Sequence, residues 1–135
     1  MADVDVDPLK TLGFDDVAVA LESLSKPADF AALFGNRQPV ELEIGCGKGG
    51  FLLRMARTHP ERNFFGIEWA NQFYKFAADR MARWGVTNVR ILRTDAKNFV
   101  IHRLAAASLS ALHVYHPDPW PKKRHHKRRL FTPGF

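Results

Sequence analysis

The sequence has a single cysteine, Cys46. That excludes an intramolecular disulfide framework and suits a reducing cytosol. No apolar run approaches the length of a membrane span. Asp3, Asp5 and Asp7 make the start of the sequence acidic, the opposite of what a signal or transit peptide is expected to show. A soluble cytoplasmic protein is therefore expected. Positive charge is also scarce outside one place. Six of the 20 Lys and Arg lie between Lys122 and Arg129, leaving 14 against 14 Asp and Glu, so the formal +6 resides in that one segment. The remaining composition, 46% apolar and 25% charged over 135 residues, matches one globular domain with a real core.

The first 37 residues read as a helical extension that packs on the edge of the main body. Val17, Leu21 and Leu24 share a helical face that Pro27 ends, and Ala28 to Phe34 fit a short helical turn before Gly35. From Gln38 the pattern becomes regular. Val40 to Ile44 form a short strand alternating apolar and acidic residues, and Phe51, Leu52, Met55 and Ala56 then share a helical face closed by His59-Pro60. Asn63 to Glu68 form a second strand. Phe73, Phe76, Ala77, Met81 and Trp84 give an amphipathic helix ending at Gly85. Val89 to Arg93 form a third strand, a weaker helix spans about Asn98 to Ala107, and Leu109 to Tyr115 form a fourth strand that delivers His116 and Asp118. Such alternation means βαβ units, an α/β fold with a parallel sheet flanked by helices. The loops after its strands face one edge, where open α/β sheets bind ligands. Each strand carries a carboxylate to or near that edge: Glu43, Glu68, Asp95 and Asp118.

Gly45-x-Gly47-x-x-Gly50 follows the first of these strands and matches the dinucleotide fingerprint, with Glu68 where a ribose-binding acid belongs. The pattern indicates a nucleoside-type cofactor. Glu43, two residues before the first glycine, disfavours a pyrophosphate and suits a cationic, amino-acid-bearing cofactor such as S-adenosylmethionine. Asp95 fits two roles, acceptor for the exocyclic amine of an adenine or N-cap of the following helix. A P-loop is excluded, because Lys48 lacks the glycine spacing and the following Ser or Thr. Cys46 reads as a small loop residue. His113 and His116 have the spacing of a metal pair but lack fixed partners, so no metal site is expected.

The most specific segment is Pro117-Asp118-Pro119-Trp120-Pro121-Lys122-Lys123-Arg124-His125-His126-Lys127-Arg128-Arg129-Leu130. An acid between prolines is held stiffly, Trp120 fits either a base-stacking platform or a core anchor, and the cations are the electrostatic footprint of a polyanion. Together with Leu42-Glu43-Ile44-Gly45-Cys46-Gly47-Lys48-Gly49 and Gly66-Ile67-Glu68, this segment resembles the tRNA (guanine-N7)-methyltransferase family over residues 38 to 135.

The resemblance implies a Rossmann-like class I fold that binds S-adenosylmethionine and methylates N7 of a guanine in the tRNA variable loop. It implies that Glu43, Glu68, Asp95 and Asp118 are cofactor-binding acids beside Gly45 and Gly47. It further implies that Asp118 is catalytic and Lys122 contacts tRNA; as a basic run, Lys122, Lys123, Arg124, Lys127, Arg128 and Arg129 would hold its phosphates. Residues 38 to 135 would then be the N-terminal part of a methyltransferase domain. The class has a seven-stranded sheet, so the C-terminal strands are expected to be missing, and with them the family's later Asp and its Thr-rich, Glu-containing motif. The fourth strand would be an apolar edge prone to self-association. An RNA- or cofactor-binding fragment without turnover, and an NAD-type oxidoreductase, are the competing readings.

Overall fold

The computed structural model describes residues 12–114. Among these residues the sheet contains five strands, all parallel: β1 (Ala18–Val19), β2 (Val40–Ile44), β3 (Asn63–Ile67), β4 (Val89–Leu92) and β5 (Ala111–His113), in the order β1-β4-β3-β2-β5. Between them run α1 (Phe30–Phe34), α2 (Gly50–Thr58), α3 (Asn71–Arg83) and α4 (Ala96–Arg103). The chain steps outward from β2 through β3 to β4, then returns to the other side of β2 as β5. The strand order thus reverses beside β2, and the crevice at such a reversal is where doubly wound sheets place ligands.

Both faces of β2 and β3 are covered, and every residue of the two strands is buried. One face packs Val40, Leu42, Ile44, Phe65 and Ile67 against Phe30, Phe34 and Phe99 from α1 and α4. The other packs Phe64, Val89 and Ile91 against Leu52, Leu53 and Ala56 of α2 and Ala77, Ala78, Met81 and Ala82 of α3. Close approach on this second face depends on Gly66. A Cβ there would lie 2.5 Å from Leu52 Cδ1 and 3.1 Å from Cys46 Sγ, so only glycine lets α2 and its preceding loop settle on β3.

Three features differ from the sequence expectations or go beyond them. The Val17–Leu24 segment is not one continuous helix: it holds a strand and then a 3-10 turn at Leu21–Ser23. A 3-10 turn at Phe14–Asp16 leads into β1, which adds to the outer edge of β4 with Ala18 opposite Ile91 and Val19 opposite Leu92. Val17 and Val19 are buried on opposite faces of the sheet, which a helix could not arrange. Second, the acids of β2 do not face water: Glu41 and Glu43 are 6% and 3% exposed. Alternation in β2 sorts residues between two buried faces. Third, α3 buries its alanines and Met81, leaving Phe76 and Trp84 exposed.

Candidate functional site

The glycine loop leaves the end of β2 and folds over the end of β3. Gly45, Gly47 and Gly49 all take positive φ, at 71°, 58° and 83°, a turn that other residues resist. The N–H groups of Gly45 and Cys46 both donate to Ile67 O, at 2.8 and 3.2 Å. Glu68 then clasps the loop. Its Oε1 accepts from Gly47 N at 2.7 Å and its Oε2 from Ala70 N at 3.0 Å, tying the loop to the start of α3. A carboxylate has about four acceptor sites, so two remain for a ligand.

Glu43 is the second acid at this place. Its Oε1 is buried and has no hydrogen-bond partner among the described residues. Burial first, and then the Glu68 carboxylate, push its pKa up to about 7, against the pull of Arg54. A buried, unpartnered carboxylate is costly unless something completes it. Next to it the Cys46 thiol is pushed well above its ordinary value, by burial and then by Glu43 and Glu68. It is therefore no nucleophile at neutral pH.

Of the residues singled out from sequence, Glu43, Gly45, Gly47 and Glu68 come together. Asp95 lies on the same rim after β4, where its Oδ1 caps α4 by accepting from Lys97 N at 3.0 Å and Asn98 N at 3.4 Å. Asp118, Lys122, Lys123, Arg124, Lys127, Arg128 and Arg129 lie outside the described residues, as do His116 and Trp120. Among the described residues no cluster of His, Cys, Asp and Glu could hold a metal ion, and no helix is long and apolar enough to cross a membrane.

Two features of the rim were missed. Beneath Glu43, Glu41 joins Arg62 at 3.1 Å and His113 Nε2 at 2.7 Å, so the carboxylate links β2 to β5. Trp69, directly after Glu68, is 60% exposed and carries the Arg93 guanidinium 4.6 Å from its ring. The acidic-apolar alternation of β2 could have flagged Glu41. Nothing local marks Trp69. A cavity of about 640 Å³, lined in part by Asp29, Arg37, Gln38 and Ser108, opens before the start of β2 and gathers none of Glu41, Glu43, Glu68 or Asp95.

A family model described as "Putative methyltransferase" matches residues 37–135. The chain is 48% identical over 114 residues to a tRNA (guanine-N(7)-)-methyltransferase of Syntrophotalea carbinolica, covering 84% of this chain and 49% of that protein. It is 45% identical to the protein of the same description from Geobacter metallireducens, covering 84% and 54%. A third such protein, from Aeromonas hydrophila, is 41% identical over 117 residues, covering 87% and 49%. The chain belongs to the tRNA (guanine-N7)-methyltransferase family. It spans about half the length of the curated relatives it matches. Within this family match, residues 37–114 are the part whose geometry is described, and the basic segment is matched by sequence alone.

Proposed function

We propose that the chain forms the cofactor-binding half of an S-adenosylmethionine-dependent methyltransferase acting on N7 of a guanine in the tRNA variable loop. The observation that carries the cofactor is the pair of acids at the glycine loop, Glu43 and Glu68, with Glu43 Oε1 buried and uncompleted. A pyrophosphate would bring negative charge onto two carboxylates. An α-ammonium and a sulfonium bring positive charge, and Glu43 would accept from the ammonium. The two free acceptor sites of Glu68 suit ribose hydroxyls. Among the described residues, Gly45's two chain neighbours aside, no atom lies within 4 Å of where a Gly45 Cβ would stand, which leaves room at the loop. The cofactor supplies an activated methyl group, and the chain supplies placement. Asp95, already an N-cap, stands one strand further along as the acceptor for an adenine amine.

Guanine N7 carries a lone pair and no proton, so the transfer needs no strong base. Holding the reactants in line contributes up to ~7–11 kcal/mol. In this proposal Asp118 accepts hydrogen bonds from the guanine edge and offsets the charge that develops on alkylation. Lys122 to Arg129 hold tRNA phosphates, a salt-sensitive and largely sequence-blind term. The reaction belongs to the cytoplasm, where unmodified tRNA is met. Strand β5 pairs on one side only among the described residues, and that edge is the proposed surface for self-association, which solution mass measurement checks. Calorimetric titration separates the cofactor readings. S-adenosylmethionine should bind and NAD should not; the reverse result overturns the proposal.

A further inference from the structure

The basic segment at 122–129 accounts for the net charge, yet a second concentration of cations sits between α2 and α3. A concavity of about 480 Å³ is lined by Gly50, Leu53, Arg54, Arg57, Thr58 and Arg80. Three of the six are guanidinium groups, and none is an acid. On α2, Gly50, Arg54, Arg57 and Thr58 recur at helical spacing along one stripe. On α3, Phe76, Arg80 and Trp84 do the same, with Trp84 at the C-cap.

These side chains are held in place. Arg57 lies 4.2 Å from the Trp84 ring, and Lys48 sits 5.4 Å over Phe76. Arg80 Nη1 donates to Lys48 O at 3.4 Å, joining the groove to the glycine loop. The nearby acids are committed elsewhere, Asp79 to Arg83 and Glu61 to His59 and Arg62. Exposed aromatic rings interleaved with guanidinium groups, two of which (Arg54 and Arg80) have no acidic partner among the described residues, make a surface that repels cations and suits a phosphate backbone with occasional base contacts. Ordinary solvated charge would be spread out. Here the cations converge on one hollow, and the field of Arg54 reaches as far as Glu43.

We infer that the α2–α3 groove is a second RNA contact, in which Arg54 and Arg80 take backbone phosphates of the tRNA body while 122–129 take others. The inference rests on the tRNA reading above. Its partner is RNA, because the charge, the aromatic rings and the adjacency to the cofactor loop all fit one extended polyanion reaching the acceptor site. Positioning of this kind carries no sequence information and acts through affinity and register.

The test uses the full chain and unmodified tRNA, with binding followed by fluorescence anisotropy over a range of salt concentrations. In the double variant Arg54→Gln, Arg80→Gln, the slope of log affinity against log salt should flatten by about 1.4 to 1.8, the value for two lost phosphate contacts. The pair Arg54→Lys, Arg80→Lys keeps the charge and should keep most of the slope, with both variants melting like the wild type. A wild-type slope in the Gln pair overturns the groove while leaving the tRNA reading intact. The same flattening in the Lys pair also overturns it, because the loss would then be one of shape. Absence of salt-dependent tRNA binding by the wild type removes the functional reading and the groove with it.

Discussion

Glu68 Oε1 accepts the backbone N–H of Gly47 at 2.7 Å, across 21 residues of chain. The glycine loop is thus closed by an acid from the neighbouring strand before any ligand arrives. A hydrogen bond to a charged acceptor contributes roughly 1.5–3 kcal/mol. Glu68→Ala removes the acceptor for both Gly47 and Ala70, so affinity for S-adenosylmethionine should fall by about 10- to 100-fold, given 1.4 kcal/mol per factor of ten. Calorimetric titration of the variant measures this, and Glu68→Gln, which keeps one acceptor, should lose less.

Glu43 makes both stability and cofactor affinity depend on pH. In the folded chain burial and Glu68 raise its pKa from 4.5 to about 7. Between those values the unfolded chain has released the proton that the folded chain still holds. The unfolded state therefore binds fewer protons, and stability falls as pH rises. The contribution is whole below about pH 4.5 and gone above about pH 7, with a span of about 3 kcal/mol at most. Urea unfolding across this range should show the decline, and Glu43→Gln should flatten it. Cofactor affinity runs the other way, since the ammonium needs the ionised carboxylate. It should tighten as pH rises towards 7 and weaken again above roughly pH 8, where the ammonium itself loses its proton, whereas in Glu43→Gln it should be weak throughout.

How much of this was legible in the sequence depends on whether local pattern or tertiary context decides. The loop was legible, because Gly45, Gly47 and Glu68 have their spacing imposed by the turn and by strand pairing. The order of helices and strands from Val40 to Leu112 was legible for the same reason. Strand β1 was not. Two residues carry too little pattern, and Val17, Leu21 and Leu24 fit a helix by spacing alone; pairing with Ile91 and Leu92 decides otherwise. The burial of Glu41 was hidden because alternation normally means one wet face, whereas here both faces of β2 are buried and the His113 side chain of β5 reaches Glu41. Asp95 shows the limit from the other side. Both roles assigned from sequence suit its position, and the N-cap is visible in its bonds to Lys97 and Asn98.

His113 and Glu41 bind β5 to β2 from inside the protein. Their side chains are 14% and 7% exposed, and Arg62 completes the carboxylate. His113→Ala leaves Glu41 Oε1 buried without this partner, which costs roughly 1–3 kcal/mol. The urea midpoint should fall accordingly. His113→Gln, which retains a donor, should recover part of the loss.

Gly66 tests the close approach on which the loop rests. The added methyl in Gly66→Ala meets Leu52 Cδ1 at 2.5 Å and Cys46 Sγ at 3.1 Å. Such overpacking costs typically ~1–3 kcal/mol. Because Cys46 belongs to the glycine loop, cofactor affinity should drop along with the melting temperature. A variant that loses stability but binds S-adenosylmethionine like the wild type would show the loop to be independent of this packing.

Methyl transfer from labelled S-adenosylmethionine to unmodified tRNA, with digestion and identification of the modified nucleoside, tests the central claim most directly. The account predicts label in 7-methylguanosine from the variable loop, lost in Asp118→Ala while tRNA affinity stays nearly unchanged. Binding of both ligands without any transfer would make the chain a binding unit only. Transfer that persists in Asp118→Ala, or label on another atom or base, would contradict the account.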